Sequence, residues 1–164
     1  MSAPLAEVMR LNVEVGLFGA DWGNLDLLAS YVARIVSVGR SDPVRYANMF
    51  SSVLNELLEV VYFHSDRAGV VECSIQRDGD IDRIALNVPC DPASRAFYAT
   101  VRDSLTSDDS AQRYAEALLS DGPLDRRIGF WELVADYKAT IAIAPTADAG
   151  VTVTVDLALD ALEK

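Results

Sequence analysis

The chain has 164 residues, of which 51% are hydrophobic and 24% are charged, so it can bury a sizeable core and is not globally disordered. Its 25 acidic and 14 basic side chains give a formal net charge of −11. A surface of this sign repels phosphate backbones, which argues against nucleic acid as a partner and leaves basic proteins or basic peptide segments.

Three further features bound the class of protein. The N-terminal residues lack a basic segment followed by an apolar one, and no apolar run approaches about 18 residues, so we expect a cytoplasmic protein that does not contact a membrane. The cysteines, Cys73 and Cys90, show no spacing typical of a metal site or a disulfide framework. No long linker interrupts the sequence, so residues 1–164 are expected to form a single domain.

The first two elements are predicted near the N-terminus. Alternating apolar residues predict a strand over Leu11–Phe18. A helix capped by Asn24 or Asp26 is expected to follow and to end near Gly39. The apolar residues that recur at helical spacing in this segment are Leu27, Leu28, Tyr31, Ile35 and Val36.

Clear start and turn signals place the remaining elements. Aspartate followed by proline, at 42–43 and again at 91–92, is typical of a helix start. Asp-Gly at 78–79 predicts a hairpin, and the polar stretch at 106–110 separates two helices. The predicted elements are a helix from Pro43 to about Phe63, strands over Val70–Gln76 and Ile81–Val88, a helix from Pro92 through Leu105, a helix through Tyr114 and Leu118, a helix over Gly129–Tyr137, and strands over Thr140–Ala144 and Val151–Leu157.

The predicted order is β-α-α-β-β-α-α-α-β-β. Strands separated by pairs of helices favour an α+β fold. We expect a two-layer α/β sandwich, with a mixed sheet of about five strands covered by helices on one face.

One helix carries an unusual set of polar residues on an otherwise apolar segment. The stretch Val53–Ser65, VLNELLEVVYFHS, contains Asn55, Glu56, His64 and Ser65. Within it, Glu56 with the two leucines after it, and the later His-Ser pair, resemble the active-site helix of the histidine-kinase-like ATPases, the GHKL group. The chain resembles the SiaB-type and cyanobacterial regulator-type kinases, relatives of the SpoIIAB-type anti-sigma kinases, and the similarity in element order runs from about Leu11 to Leu157.

The resemblance implies a Bergerat-like fold with ATP or ADP and magnesium as cofactors. It also implies a bacterial partner-switching function, in which a serine or threonine of a small antagonist protein is phosphorylated or a partner is sequestered without chemistry. Antagonist-type or response-regulator-type proteins are the implied partners. Related domains dimerise near their first strand and helix, so a homodimer is implied as well.

In the helix motif of this family, a glutamate is followed one turn later by a metal-binding asparagine. Glu56 matches the glutamate and is the candidate catalytic base. Val60 stands where the asparagine would be and has no oxygen to offer. The metal would then depend on Asn55, Glu56 or water, and no metal ligand is assigned.

The other two nucleotide motifs are also altered. Asn87 lies at the strand end where the family has an adenine-reading aspartate, and its amide oxygen is the candidate replacement. In the glycine-rich phosphate turn, Gly129 matches the last glycine, while Arg127 replaces the first and restricts the backbone. In the alternative interpretation, the positive charge of Arg127 takes the place of the metal beside the phosphates. His64 is a candidate phosphate contact or a helix cap.

These substitutions predict weak or absent nucleotide binding. Three functions remain open: a pseudokinase that acts by protein–protein binding, a divergent protein serine/threonine kinase that uses Glu56, and an ATP or ADP sensor without turnover. The sequence favours the first because Val60 and Arg127 affect the metal and phosphate positions together. Phe130 and Trp131, next to the phosphate turn, are expected to fill the pocket.

Overall fold

A computed structural model of the chain describes residues 4–19, 21, 23–105 and 109–162. The strands in these residues are β1 (Ala6–Glu14), β2 (Val70–Asp78), β3 (Ile81–Val88), β4 (Thr140–Pro145) and β5 (Val151–Leu157). The helices are α1 (Gly23–Val36), α2 (Pro43–Phe63), α3 (Pro92–Ser104), α4 (Ser110–Leu118) and α5 (Ile128–Tyr137). Short 3₁₀ turns occupy Val15–Gly19 and Leu159–Ala161.

The strands form one open sheet in the order β1-β2-β3-β5-β4. Every neighbouring pair is antiparallel, so the sheet is not mixed as predicted. The reason is the closing β4–β5 hairpin, whose second strand returns beside β3 and leaves β4 at the edge. The α+β class and the number of strands are confirmed.

Side chains alternate between the two faces of the sheet. In β3, Ile84, Leu86 and Val88 point into the core and are at most 2% exposed. The opposite face carries polar groups, such as the Arg83–Asp156 ion pair at 2.7 Å. The helices therefore cover one face only, which confirms the predicted two-layer arrangement.

Both aspartate–proline helix starts are confirmed. Asp42 Oδ1 accepts a hydrogen bond from the Arg45 N–H at 3.0 Å at the start of α2. Asp91 Oδ1 accepts one from the Ser94 N–H at 2.7 Å at the start of α3. These caps satisfy backbone donors that the first helical turn leaves without a partner.

The first strand lies earlier in the chain than predicted. β1 runs over Ala6–Glu14, and the 3₁₀ turn at 15–19 replaces the end of the predicted strand Leu11–Phe18. Because β2 has nine residues, it pairs along β1 as far as Ala6. Val15 would have continued the alternation, but its N–H donates to the Gly69 carbonyl at 3.2 Å and the chain leaves the sheet.

The first helix begins just before both predicted caps. α1 starts at Gly23, whose N–H donates to Asp21 Oδ1 at 2.8 Å. The Asn24 N–H donates to the Asp21 carbonyl at 3.1 Å. Asp21 therefore takes the role that the sequence assigned to Asn24 or Asp26.

An ion network is buried where β3 begins. Asp82 is 0% exposed, and its carboxylate accepts a hydrogen bond from the Tyr46 hydroxyl of α2. Arg77 Nε lies 2.7 Å from Asp82 Oδ1, and Arg40 Nη2 lies 2.9 Å from Oδ2. The sequence carried a signal for this site, because Asp82 alternates in phase with inward-facing Ile84.

Two further predictions concern the polar break at 106–110 and the absence of membrane-spanning segments. Residues 106–108 of the predicted polar break lie outside the described residues, and α4 begins at Ser110. Within the described residues, none of the helices combines the length and the apolar character needed to cross a membrane.

Candidate functional site

Glu56 and Gly129 are in contact where α2 passes the first turn of α5. A Cβ atom built on Gly129 would lie 2.4 Å from Glu56 Oε1 and 3.2 Å from its Cγ. Any larger residue at 129 would therefore displace the Glu56 side chain. The structure brings these two predicted site residues together, with the carboxylate packed beside the glycine backbone.

The environment of Glu56 disfavours its charged form. Burial, followed by the negative charges of Glu132 and Glu59, raises the pKa of Glu56 from 4.5 to about 7. Burial and then Asp136 raise the pKa of Glu132 in the same region. Glu56 is thus about half protonated at neutral pH.

His64 ends α2 and packs against α3. Its backbone N–H donates to the Val60 carbonyl at 2.9 Å, and its ring stacks on Phe97 with centroids 3.5 Å apart. Burial and then Arg126 lower the pKa of His64 despite the opposing charge of Asp91, so the ring is neutral at pH 7. Its Nε2 is buried without a hydrogen-bond partner among the described residues.

The arginines before α5 are engaged within the chain. Arg127 pairs with Asp125 through contacts of 2.7 and 3.0 Å and lies 5.1 Å from the Trp131 ring centre. The Arg126 guanidinium lies 3.5 Å from the centre of the Phe63 ring. Both guanidinium groups therefore have partners within the chain.

Asn87 lies on the other face of the sheet. Its neighbours in β3, Leu86 and Val88, point into the core, whereas Asn87 is exposed. Its amide donates to Glu72 Oε1 at 3.2 Å and accepts from Thr152 Oγ1 at 2.8 Å. The structure therefore does not bring Asn87 together with Glu56 and Gly129.

The two remaining positions of the helix motif offer little to a metal. Asn55 is partly buried, but as the direct neighbour of Glu56 it faces a different direction from the helix axis. Val60 is 4% exposed and belongs to the core. Among the described residues, no group of three or more His, Cys, Asp or Glu side chains is placed to hold a metal ion.

The aromatic residues next to the phosphate turn are buried. Phe130 is 1% exposed and Trp131 is 4% exposed. Trp131 Nε1 donates to Ser104 Oγ at 3.0 Å, which ties α5 to the end of α3. A cleft of about 370 Å³ lies on the α4 side of Trp131, but its lining includes neither Glu56 nor Gly129.

These contacts can be compared with what a magnesium nucleotide requires. The backbone beside Gly129 faces a carboxyl group instead of open space, and position 60 has no oxygen ligand. Asn87 is on the opposite face of the sheet, and Arg127 is held by Asp125. The residues as arranged here do not fit a magnesium nucleotide.

A second candidate functional surface lies on α1. Leu27, Tyr31 and Val38 are 68%, 60% and 72% exposed, and Ile35 lies between them at 36%. Leu27, Tyr31 and Ile35 recur four residues apart and so share one face of the helix, while Val38 lies in the turn that follows α1; the four together are called the α1 stripe. The residues that α1 buries instead are Leu25, Ala29, Val32, Ala33 and Val36.

Sequence reasoning missed this surface although the signal was present. The apolar residues of this helix form two rows, and the predicted set mixed exposed Leu27, Tyr31 and Ile35 with buried Val36. A helix that is apolar on two faces has more apolar surface than one core contact requires. The exposed row, Leu27, Tyr31 and Ile35, is therefore the apolar surface of α1 that the core does not use.

A scan of the sequence against models of protein families finds no match, and a search of curated proteins finds no significant one either. The GHKL resemblance thus stays a prediction that rests on the motifs and on the order of elements.

Proposed function

We propose that this chain is a regulatory module of the bacterial partner-switching type, a degenerate GHKL-like domain that acts by binding another protein. The observation that carries the proposal is the contact of Glu56 with Gly129, where a phosphate-binding turn would need open space. The pairing of Arg127 with Asp125 and the core position of Val60 support it.

The α1 stripe supports a protein as the partner. Contiguous exposed apolar residues on a monomer are typical of interaction surfaces. Because the chain carries a net charge of −11, the fitting partner presents apolar residues bordered by basic ones. A small antagonist-type or response-regulator-type protein in the cytoplasm is the partner class that this proposal takes from the resemblance.

Titration calorimetry with Mg-ATP and Mg-ADP tests the proposal. We expect no binding up to millimolar nucleotide, because the groups around Gly129 are engaged with one another. Binding in the low micromolar range would overturn the proposal and leave the sensor or the kinase.

A gain-of-function variant tests where the nucleotide motifs lie. Val60→Asn combined with Arg127→Gly restores the amide and the glycine that the resemblance calls for. Because Glu56 still lies beside Gly129 in this folded double variant, we expect weak but measurable nucleotide affinity, with none in the parent chain. Unchanged affinity would count against the assignment of these two positions.

The protein interaction is tested on the α1 stripe. Tyr31→Arg places a charge at its centre and should abolish binding of a partner that the parent chain retains in affinity capture. Leu124→Arg is the matched control, since Leu124 is an apolar residue with 67% exposure outside the stripe. Equal retention by both variants would rule out the α1 stripe as the binding surface.

A divergent protein serine kinase is the second candidate, favoured by one observation. Burial and nearby acidic groups bring the pKa of Glu56 to about 7, and a general base works best with a pKa near the working pH. Phosphate transfer from labelled ATP to a captured partner, lost in Glu56→Gln, would establish this function in place of the first.

A further inference from the structure

The two edges of the sheet are protected to different degrees. β1, at one edge, carries Glu7, Arg10 and Glu14 and has an irregular register between Glu7 and Met9. β4, at the other edge, has the sequence TIAIAP without a single charge. Charges, bulges and prolines on edge strands prevent pairing with other chains, so β1 is protected along its length, whereas β4 has only Pro145 at one end and residues 140–144 carry no such device.

The hydrogen-bond register shows which backbone groups of β4 face outward. The Thr146 N–H donates to the Gly150 carbonyl at 3.0 Å, at the hairpin end of the β4–β5 ladder. Hydrogen-bonded pairs alternate along an antiparallel ladder, so Ala142 and Ala144 bond to β5. The N–H and carbonyl groups of Ile141 and Ile143 therefore point away from the sheet.

Space lies beside this edge at both of its ends. A cleft of about 340 Å³ includes Thr140 and Ile141 in its lining, together with residues of α5. A smaller cleft of about 100 Å³ includes Ile143 and Pro145, together with residues of α3. Among the described residues, the sheet has no strand beyond β4.

We propose that β4 pairs with β4 of a second copy of this chain, which joins the two sheets into one continuous sheet across a two-fold axis at Ala142. An antiparallel arrangement about this axis sets Ile141 opposite Ile143 of the other copy. Their outward groups then form about four hydrogen bonds. This inference is independent of the proposed binding function.

Charge and side-chain size both suit a second copy as the occupant. Two chains of net charge −11 repel each other, and β4 is a strand along which they meet without facing charges. On the exposed face, Ala142 meets Ala142 of the other copy and Thr140 meets Ala144. A two-fold contact requires such a self-complementary set, and these side chains are small enough to lie opposite themselves.

Sedimentation velocity over a wide concentration range tests the dimer. We expect a concentration-dependent dimer, which Ile143→Pro abolishes because proline removes an outward N–H that the β4–β5 ladder does not use. Since Ile143 also packs on the core, a second variant is needed that leaves the core unchanged.

Charge substitutions at the proposed axis provide that variant. Ala142→Lys and Ala142→Glu each place like charges opposite one another, and each should weaken the dimer about tenfold, whereas their equimolar mixture should dimerise at least as well as the parent chain. Asn12→Lys, an exposed position on β1, is the matched control and should leave the dimer unchanged. A monomer at all concentrations, or a dimer indifferent to charge at Ala142, would overturn the proposal. So would a monomer that binds an extended peptide along β4.

Discussion

The two ends of α2 bury polar groups in opposite ways. Near its start, Tyr46 joins a buried carboxylate, Asp82, that two arginines also contact, although Arg40 Nε and Nη2 make no hydrogen bond among the described residues. Near its end, Glu56 is half-buried beside further acidic groups, and His64 keeps a buried Nε2 without a partner among the described residues. Buried polar groups cost free energy unless they are paired. The Tyr46–Asp82 end of α2 therefore contributes more to the stability of the fold than the Glu56–His64 end.

This difference supports the choice of the Glu56 region as a candidate site. Departures from full pairing concentrate at functional sites, because selection for stability alone would remove them. The two ends differ in burial and in hydrogen bonding, and the pKa of Glu56 is raised.

The largest effect is expected from the paired end. Asp82→Ala leaves Arg77 and Arg40 without their buried counter-charge and should lower the free energy of unfolding by about 3–5 kcal/mol. Asp156→Ala is the matched control, because the Arg83–Asp156 pair is partly exposed and should contribute about 1 kcal/mol or less. Urea unfolding measures both. Equal losses would contradict the assignment of Asp82 as the main buried ionic contact.

A smaller effect of opposite sign is expected at the other end. The pKa of Glu56 is about 7 in the folded chain against 4.5 as its ordinary value, so this group weakens the fold progressively as the pH rises from 4.5 to 7. Glu56→Gln should remove that loss and raise the free energy of unfolding at pH 8 by about 1–2 kcal/mol, allowing for partial solvent screening.

The same substitution should have little effect at pH 4, where the Glu56 carboxyl is largely protonated in both the folded and the unfolded state. Glu14→Gln, at an exposed position of β1, is the matched control and should change stability little at either pH. A Glu56→Gln variant that is less stable than the parent at pH 8 would show that the charged carboxylate has a stabilising partner.

The smallest difference is expected between two buried serines. Ser65 and Ser104 are each 4% exposed, but within the described part of the chain only the Ser104 hydroxyl has a hydrogen-bond partner, since its Oγ accepts from Trp131 Nε1. Ser104→Ala should cost about 1–2 kcal/mol because it leaves the indole N–H buried without an acceptor. Ser65→Ala should change stability by less than about 0.5 kcal/mol. Thermal unfolding measures both, and a larger loss for Ser65→Ala would contradict the comparison.

Local signals predicted most of the fold. The helix starts at Pro43 and Pro92 and the turn at Gly79 follow from residues within one turn of the feature, and the structure confirms them. The start of β1 was not predictable in this way, because pairing with β2 determines it. The wholly antiparallel sheet likewise depends on where β5 inserts.

The candidate site was predictable only in part. The contact between Glu56 and Gly129 joins residues 73 positions apart, and only the family resemblance placed them together. The outward direction of Asn87 could be predicted from the alternation of side chains along β3, because Leu86 and Val88 point inward and the residue between them must point outward. The exposed row of α1 depends on which of two apolar faces packs against α2, and the sequence of one helix does not decide that.

The account depends most on the state of the Glu56 carboxyl group beside Gly129. Its titration can be followed by NMR through the side-chain carboxyl carbon, with and without Mg-ATP, and Glu56→Gln identifies the resonance. We predict a midpoint near pH 7 that Mg-ATP does not change. A midpoint near the ordinary 4.5, or one that nucleotide shifts, would show that the site is open to solvent or ligand and would contradict the account.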